Sequence, residues 1–73
     1  MDVLKLDDVG PDGARFTVDW DQLRVADSVF IPCINVALAD KQVRAIFARR
    51  QWEIRVAVRT ENDILGLRIW RTA

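Results

Sequence analysis

The chain has 73 residues, 51% of them hydrophobic and 30% charged, with a formal net charge of zero. A chain of this size buries roughly 60% of its unfolded surface around one core, so we expect a single domain over residues 1–73. The lone cysteine, Cys33, excludes an internal disulfide, and no apolar run reaches the ~20 residues of a membrane span, so we expect a soluble cytoplasmic protein with no membrane partner.

The first half of the chain predicts short strands separated by turns. Residues 10–13, Gly-Pro-Asp-Gly, have turn chemistry. Residues 14–19 then alternate as a strand. Trp20 and Leu23 have the spacing of one helical turn, and residues 28–32 predict a further short strand whose proline marks an edge or a boundary.

One helix is the clearest predicted element. Asn35 is a good N-cap residue, and apolar residues then recur every three or four positions through about residue 50. Such a stripe has to pack on a sheet. The opposite side is polar, with Asp40 placed four residues before Arg44. The stripe consists of Val36, Ala39, Val43, Ile46 and Phe47.

The last third predicts a β-hairpin. Residues 52–60 alternate between apolar and polar side chains, residues 61–63 form a turn, and Leu65, Leu67 and Ile69 alternate again. Together these elements predict an α+β fold, in which a small antiparallel β-sheet carries one central α-helix packed on one face and ends in a C-terminal β-hairpin.

The zero net charge conceals an asymmetry along the chain. Residues 1–40 carry three basic and eight acidic residues, whereas residues 41–73 carry eight basic and three acidic ones. Two faces of opposite sign would each attract a partner of the other sign, an effect that weakens with salt. Alternatively, the strands interleave and the charges pair with one another.

The residues that catalysis usually needs are missing. The chain has no histidine and no tyrosine, so neither a Cys-His pair nor a proton-transfer group with an unperturbed pKa near neutrality is available. We expect Cys33 to be a buried thiol. The neighbouring carboxylates Asp7 and Asp8 are typical of solvated turns rather than of an acid-base pair. The sequence therefore predicts a protein that is not an enzyme.

A faint calcium-loop pattern runs through residues 8–19. Asp8, Asp12, Gly13 and Asp19 stand at its first, fifth, sixth and twelfth positions, but Gly10 replaces the acid at the third. The terminal glutamate and the flanking helices are missing as well. We therefore expect neither a metal nor any other cofactor.

The polar face of the predicted hairpin is the strongest candidate for a binding surface. Arg55, Arg59 and Arg68 share that face with Trp70, and Arg71 follows. Arginine and tryptophan are enriched at the energetic centres of protein interfaces, and they also bind phosphates and stack on bases. The alternative is that the N-terminal segment covers Trp70 and its aspartates pair with the arginines.

Nucleic acid is the less favoured partner, because a pI near 6.1 and zero net charge give little excess base for phosphates. The acidic half favours a basic protein segment instead. We expect the protein to be a monomer that binds another protein. The candidate partner-binding residues are Asp7, Asp8, Arg55, Arg59, Arg68, Trp70 and Arg71.

Two segments carry a resemblance to known proteins. Residues 16–33 read FTVDWDQLRVADSVFIPC, and residues 66–71 read GLRIWR. These runs and the length of the chain resemble the small RNA polymerase-binding transcription regulators of lytic, tailed bacteriophages that infect Xanthomonas.

That resemblance implies a function in the cytoplasm of an infected bacterium. Its partner would be the host RNA polymerase, bound near the N-terminus of the largest subunit and the adjoining flap. The resemblance implies inhibition of initiation by disfavouring σ-factor retention, together with antitermination. It assigns no contact residues, so the candidate residues rest on the reading of the surface. A small nucleic-acid-binding β-ribbon protein is the alternative.

Overall fold

A computed structural model describes residues 8–73 and confirms the predicted α+β class and the C-terminal hairpin. The chain forms five strands and one α-helix within these residues, together with a 3-10 turn over Trp20–Gln22. In chain order they are β1 (Asp8–Val9), β2 (Phe16–Thr17), β3 (Ser28–Pro32), α1 (Val36–Arg50), β4 (Ile54–Glu61) and β5 (Ile64–Arg71).

The strands form two antiparallel sheets. The larger has the order β3-β5-β4, so that the C-terminal strand lies in the middle, and the smaller pairs β1 with β2. The strand predicted over residues 14–19 is reduced to Phe16–Thr17, because the chain turns inward at Trp20. That indole is 1% exposed and packs edge-on against Phe47, with ring centroids 5.4 Å apart.

Both ends of α1 are stabilised by polar contacts. Asn35 is the N-cap, as predicted, and its Oδ1 accepts a hydrogen bond from the Leu38 amide at 3.1 Å. Asp12 reaches back from the 10–13 turn and accepts from the amides of Ile34 and Asn35 at 2.7 and 2.8 Å. The helix ends at Arg50, and the C-cap residue Gln51 adopts a left-handed conformation with φ 58° and donates its amide to the Ala48 carbonyl at 3.1 Å.

The core lies between α1 and one face of the larger sheet. Four residues of the predicted helical stripe, Ala39, Val43, Ile46 and Phe47, are at most 1% exposed. They meet a sheet face whose centre is formed by buried side chains of β3 and β5, and Val9 and Trp20 complete the cluster. Within residues 8–73, no helix is long and apolar enough to cross a membrane.

A two-residue turn fixes the pairing of β4 with β5. Asn62 and Asp63 both have positive φ, 51° and 64°, as type I′ hairpin turns require and as Asn and Asp tolerate. The resulting register places Val56 opposite Ile69 and Arg55 opposite Trp70. The Val56–Ile69 pair therefore faces the helix, and the Arg55–Trp70 pair faces the opposite side of the sheet.

Gly66 is a position of β5 that leaves no room for a side chain beside β3. A Cβ built there would overlap the carbonyl oxygen of Ile31 and lie 2.5 Å from Cζ of Phe30. The Phe30 ring therefore occupies the space that any larger residue at position 66 would need, on the side of the sheet away from α1.

We expect Gly66→Ala to lower the free energy of unfolding by about 1–3 kcal/mol, because the overlap with backbone cannot be relieved by a side-chain rotation. The check is urea unfolding followed by tryptophan fluorescence. Thr60→Ala, at an exposed position of β4, is the control and should stay within about 0.5 kcal/mol of wild type. An unchanged midpoint for Gly66→Ala would contradict the close packing of β3 on β5.

Candidate partner-binding face

The larger sheet has one face against α1 and one that α1 does not cover. Residues opposite each other in an antiparallel pair project to the same side, and the register joins Ser28 to Trp70 and Trp70 to Arg55. The helix packs on the other side, where Leu67 and Ile69 are buried. We call the side away from α1 the open face. Its residues are Ser28, Phe30, Pro32, Arg55, Ala57, Arg59, Glu61, Ile64, Gly66, Arg68 and Trp70.

Trp70 is the aromatic centre of the open face. The guanidinium carbons of Arg55 and Arg59 lie 5.7 and 5.9 Å from its ring centroid, within cation-π range. Ala57 lies between Arg55 and Arg59 on the same face of β4, and its small side chain leaves both guanidinium groups room to approach the Trp70 ring. The indole is half-buried by its own neighbours, so it is ordered before any partner arrives and loses little freedom on binding.

Arg68 is bound within the chain. Its Nε donates to Oε2 of Glu61 at 3.0 Å, and Nη2 donates to Oε1 of the same carboxylate, which makes a bidentate pair. Nη1 donates to the Ser28 hydroxyl at 3.2 Å, and the guanidinium lies over the Phe30 ring, 5.4 Å from its centroid. Arg68 therefore braces the face across its three strands.

Arg55 and Arg59 are the more available cations. Arg59 has only a 3.6 Å contact with Glu61, whose carboxylate Arg68 already engages. Within residues 8–73, Arg55 has no carboxylate within ion-pair distance. Three arginines against one glutamate leave the open face with an excess of two positive charges. A partner that neutralises this excess is acidic where it meets β4.

The ion pairs of the open face are made within the C-terminal hairpin. Over residues 8–73, Arg59 and Arg68 make their ion pairs with Glu61 rather than with aspartates of the first half. One ion pair that does join distant parts of the chain, Arg50 with Asp21 at 3.2 Å, involves α1 and the 3-10 turn. Among residues 8–73, no aspartate of the first half therefore pairs with Arg55, Arg59 or Arg68.

Arg71, a predicted partner-binding residue, lies outside the open face. It stands opposite Ile54 in the register, on the helix side of the sheet. Its guanidinium carbon is 3.5 Å from the Trp52 ring centroid, and Nη1 donates to the Leu23 carbonyl at 2.8 Å. The side chain therefore holds the end of β5 against neighbouring loops.

Asp8, an acidic candidate, lies apart from the open face. Asp8 belongs to β1, which contacts α1, and its side chain is 3% exposed and 3.7 Å from Nε of Arg15. A buried carboxylate offers a partner little surface. Asp7 lies outside the described residues.

Sequence reasoning missed the three residues of the open face that contact the Arg68 guanidinium. Ser28, Phe30 and Glu61 hold Arg68 in place, but none was predicted to lie beside it. The sequence predicted a short strand over residues 28–32. It did not indicate that this strand pairs with β5, which a one-dimensional pattern does not reveal.

Cys33 is buried, as predicted. It is 5% exposed, and burial, followed by the charge of Asp12, raises the pKa of its thiol. The thiol therefore stays protonated at neutral pH. In the calcium-like run, Asp12 uses both carboxylate oxygens on backbone amides, and residues 8–73 contain no group of three or more His, Cys, Asp or Glu placed to hold a metal ion.

No protein-family model, curated protein or solved structure matches the chain.

The bidentate pair with Arg68 gives a pH-dependent prediction. Hydrogen bonds from Arg68 hold the pKa of Glu61 below its ordinary value of 4.5, and the charges of Arg68 and Arg59 act in the same direction. A carboxylate with a depressed pKa stabilises the fold fully above its unfolded pKa and loses that contribution as the pH falls through the folded pKa.

Glu61→Gln should therefore lower the Tm at pH 7, and the difference from wild type should vanish in acid, below the folded pKa of Glu61. Thermal unfolding followed by circular dichroism from pH 7 to pH 2 tests this. Glu53→Gln, which removes an exposed carboxylate without an ion pair in residues 8–73, should leave the Tm at pH 7 close to wild type. A Tm difference for Glu61→Gln that persists unchanged in acid would contradict the ionic role.

Proposed function

We propose that this protein is a non-catalytic, phage-encoded regulator that binds bacterial RNA polymerase through the open face. The observation that carries the binding proposal is Trp70, ordered on a helix-free sheet face between Arg55 and Arg59. A rigid aromatic anchor with arginines around it has the composition of an interface hot spot. The resemblance of residues 16–33 and 66–71 to phage transcription regulators supplies the identity of the partner.

Binding alone is sufficient for such a function. A ligand that binds one state of the polymerase better than another shifts the population toward that state, and about 1.4 kcal/mol of difference changes the ratio tenfold. In the infected cell, a preference for a polymerase state that retains σ-factor poorly would reduce initiation. A preference for the elongating state that passes terminators would give antitermination.

The proposed contact is the N-terminus of the largest polymerase subunit with the adjoining flap, as the resemblance implies. The structure restricts what this chain brings to it. Arg55 and Arg59 provide positive charge that Glu61 compensates only in part, so the contacting segment of the polymerase is acidic. A surface of one anchor and two cations forms a small interface, in the class that suits transient regulatory complexes.

A single-stranded nucleic acid is the second candidate partner. The same Arg55-Trp70-Arg59 arrangement would stack a base and contact its phosphates. The open face carries an excess of only two positive charges, and the whole chain is neutral, so few phosphates would be neutralised and the affinity would be weak. This small excess of charge supports the proposal of a protein partner.

The test is capture of purified bacterial RNA polymerase by the immobilised chain. Arg55→Gln with Arg59→Gln should weaken capture about tenfold, because two charges leave the centre of the interface. Lys41→Gln with Arg44→Gln removes the same charge from exposed positions of α1 and should change capture less than about twofold. Both variants should keep the Tm, since all four side chains are exposed.

Equal capture by the two double variants would remove the open face from the interface. Retention on single-stranded DNA without capture of polymerase would replace the proposal with the nucleic-acid function. An in vitro transcription assay on the wild-type chain then separates inhibition of initiation from read-through at a terminator.

A further inference from the structure

The outer edge of β4 is open to another strand. β4 has eight residues, contains no proline and is the outermost strand of the larger sheet. Within residues 8–73, no backbone hydrogen bond joins its outer side to any other segment. In an antiparallel strand every second residue directs both its N–H and its C=O to one side, so the edge presents a row of unsatisfied groups.

The other edge of the same sheet is less suited to strand addition. β3 has five residues and ends at Pro32, and a short edge strand with a proline is one of the ways in which proteins prevent edge pairing. β4 has neither protection. Next to this edge, β4 exposes two arginines on the open face and Val58 on the helix side of the sheet.

On the helix side of the sheet, an apolar groove runs beside β4. It lies between the first turns of α1 and β4 and has a volume of about 350 Å³. Val58 is 58% exposed there, and Asp40 at the rim is paired with Arg44. The lining residues are Val36, Ala37, Asp40, Val56, Ala57, Val58 and Leu67.

On the open face, the side chains of β4 next to its outer edge are positively charged. Arg55 and Arg59 project there, and Glu61 compensates them only in part. A strand laid along β4 would place alternate side chains on the two sides of the sheet. Those on the helix side would enter the apolar groove, and those on the open face would meet the two arginines.

We propose that β4 accepts an extended segment of a partner protein, in which apolar and acidic side chains alternate, as an added fourth strand of the larger sheet. Main-chain hydrogen bonds to β4 give the affinity, and the alternating side chains give the specificity. This inference deepens the proposed function and rests on it for the existence of a protein partner. It adds which edge is used and which chemistry is recognised.

A second copy of this chain is the poorer occupant of the edge. Two β4 strands paired antiparallel about Ala57, near the middle of the strand, would place Arg55 of each directly opposite Arg59 of the other. Like charges directly opposite across strands are destabilising. The same two arginines attract the acidic positions of the proposed segment.

The test uses a fluorescently labelled synthetic peptide of alternating valine and glutamate, equal in length to β4. Its control has the same composition with the valines and glutamates in two blocks. The alternating peptide should bind, the block peptide should bind at least about tenfold more weakly, and salt should weaken the alternating peptide's affinity. Hydrogen exchange of amides in β4 should slow when the alternating peptide is bound.

A matched pair of variants separates the groove from general surface effects. Val58→Asn removes an apolar contact at the groove and should weaken peptide binding about tenfold. Val25→Asn changes a valine that is 55% exposed and lies outside β4, and should leave binding unchanged.

Equal binding of the block peptide, unchanged exchange in β4, or a dimer of the free chain in sedimentation would each overturn the inference. If the wild-type chain captures polymerase but does not bind the alternating peptide, only the inference about β4 is overturned. Capture lost with peptide binding retained would overturn the proposed function alone.

Discussion

The register of β5 against its two neighbours is the constraint on which the fold and the open face both depend. Because side chains alternate along a strand, a slip of one residue would expose Leu67 and Ile69 and bury Arg68 and Trp70. The I′ turn at residues 62–63 sets the register on one side, and the close approach of Phe30 to Gly66 sets it on the other. The same pairing thus directs the apolar residues toward α1 and the Arg-Trp cluster away from it.

Local patterns predicted the elements with strong periodicity. The helix from its Asn35 cap and the C-terminal hairpin were confirmed, because a long apolar stripe and a clean alternation each favour one conformation. The strand over residues 14–19 was predicted too long. There the tertiary packing of Trp20 on Phe47 overrides the alternation and bends the chain. The division into two sheets was not predicted, because the alternation of apolar and polar residues within one strand does not reveal which strand it pairs with.

The sequence predicted which site residues share a face within one strand, but not their contacts with neighbouring strands. Alternation placed Arg55 and Arg59 together on β4, and likewise Arg68 and Trp70 on β5. Which of them are free depends on cross-strand neighbours, and the structure divides the predicted set accordingly. Arg68 is paired with Glu61, whereas Arg55 lies near Trp70 with no carboxylate of residues 8–73 within ion-pair distance. The stacking of Arg71 on Trp52 and the burial of Asp8 required the packing of loops and of the small sheet against the rest.

Hydroxyl-radical footprinting of the chain with and without RNA polymerase tests the central claim most directly, because the three tryptophans report on different surfaces. Trp20 is buried and serves as the internal reference, Trp52 lies on the helix side with Arg71 stacked on it, and Trp70 lies on the open face. We expect polymerase to lower the oxidation rate of Trp70 severalfold while that of Trp52 stays constant. Protection of Trp52 with Trp70 unchanged would contradict the account.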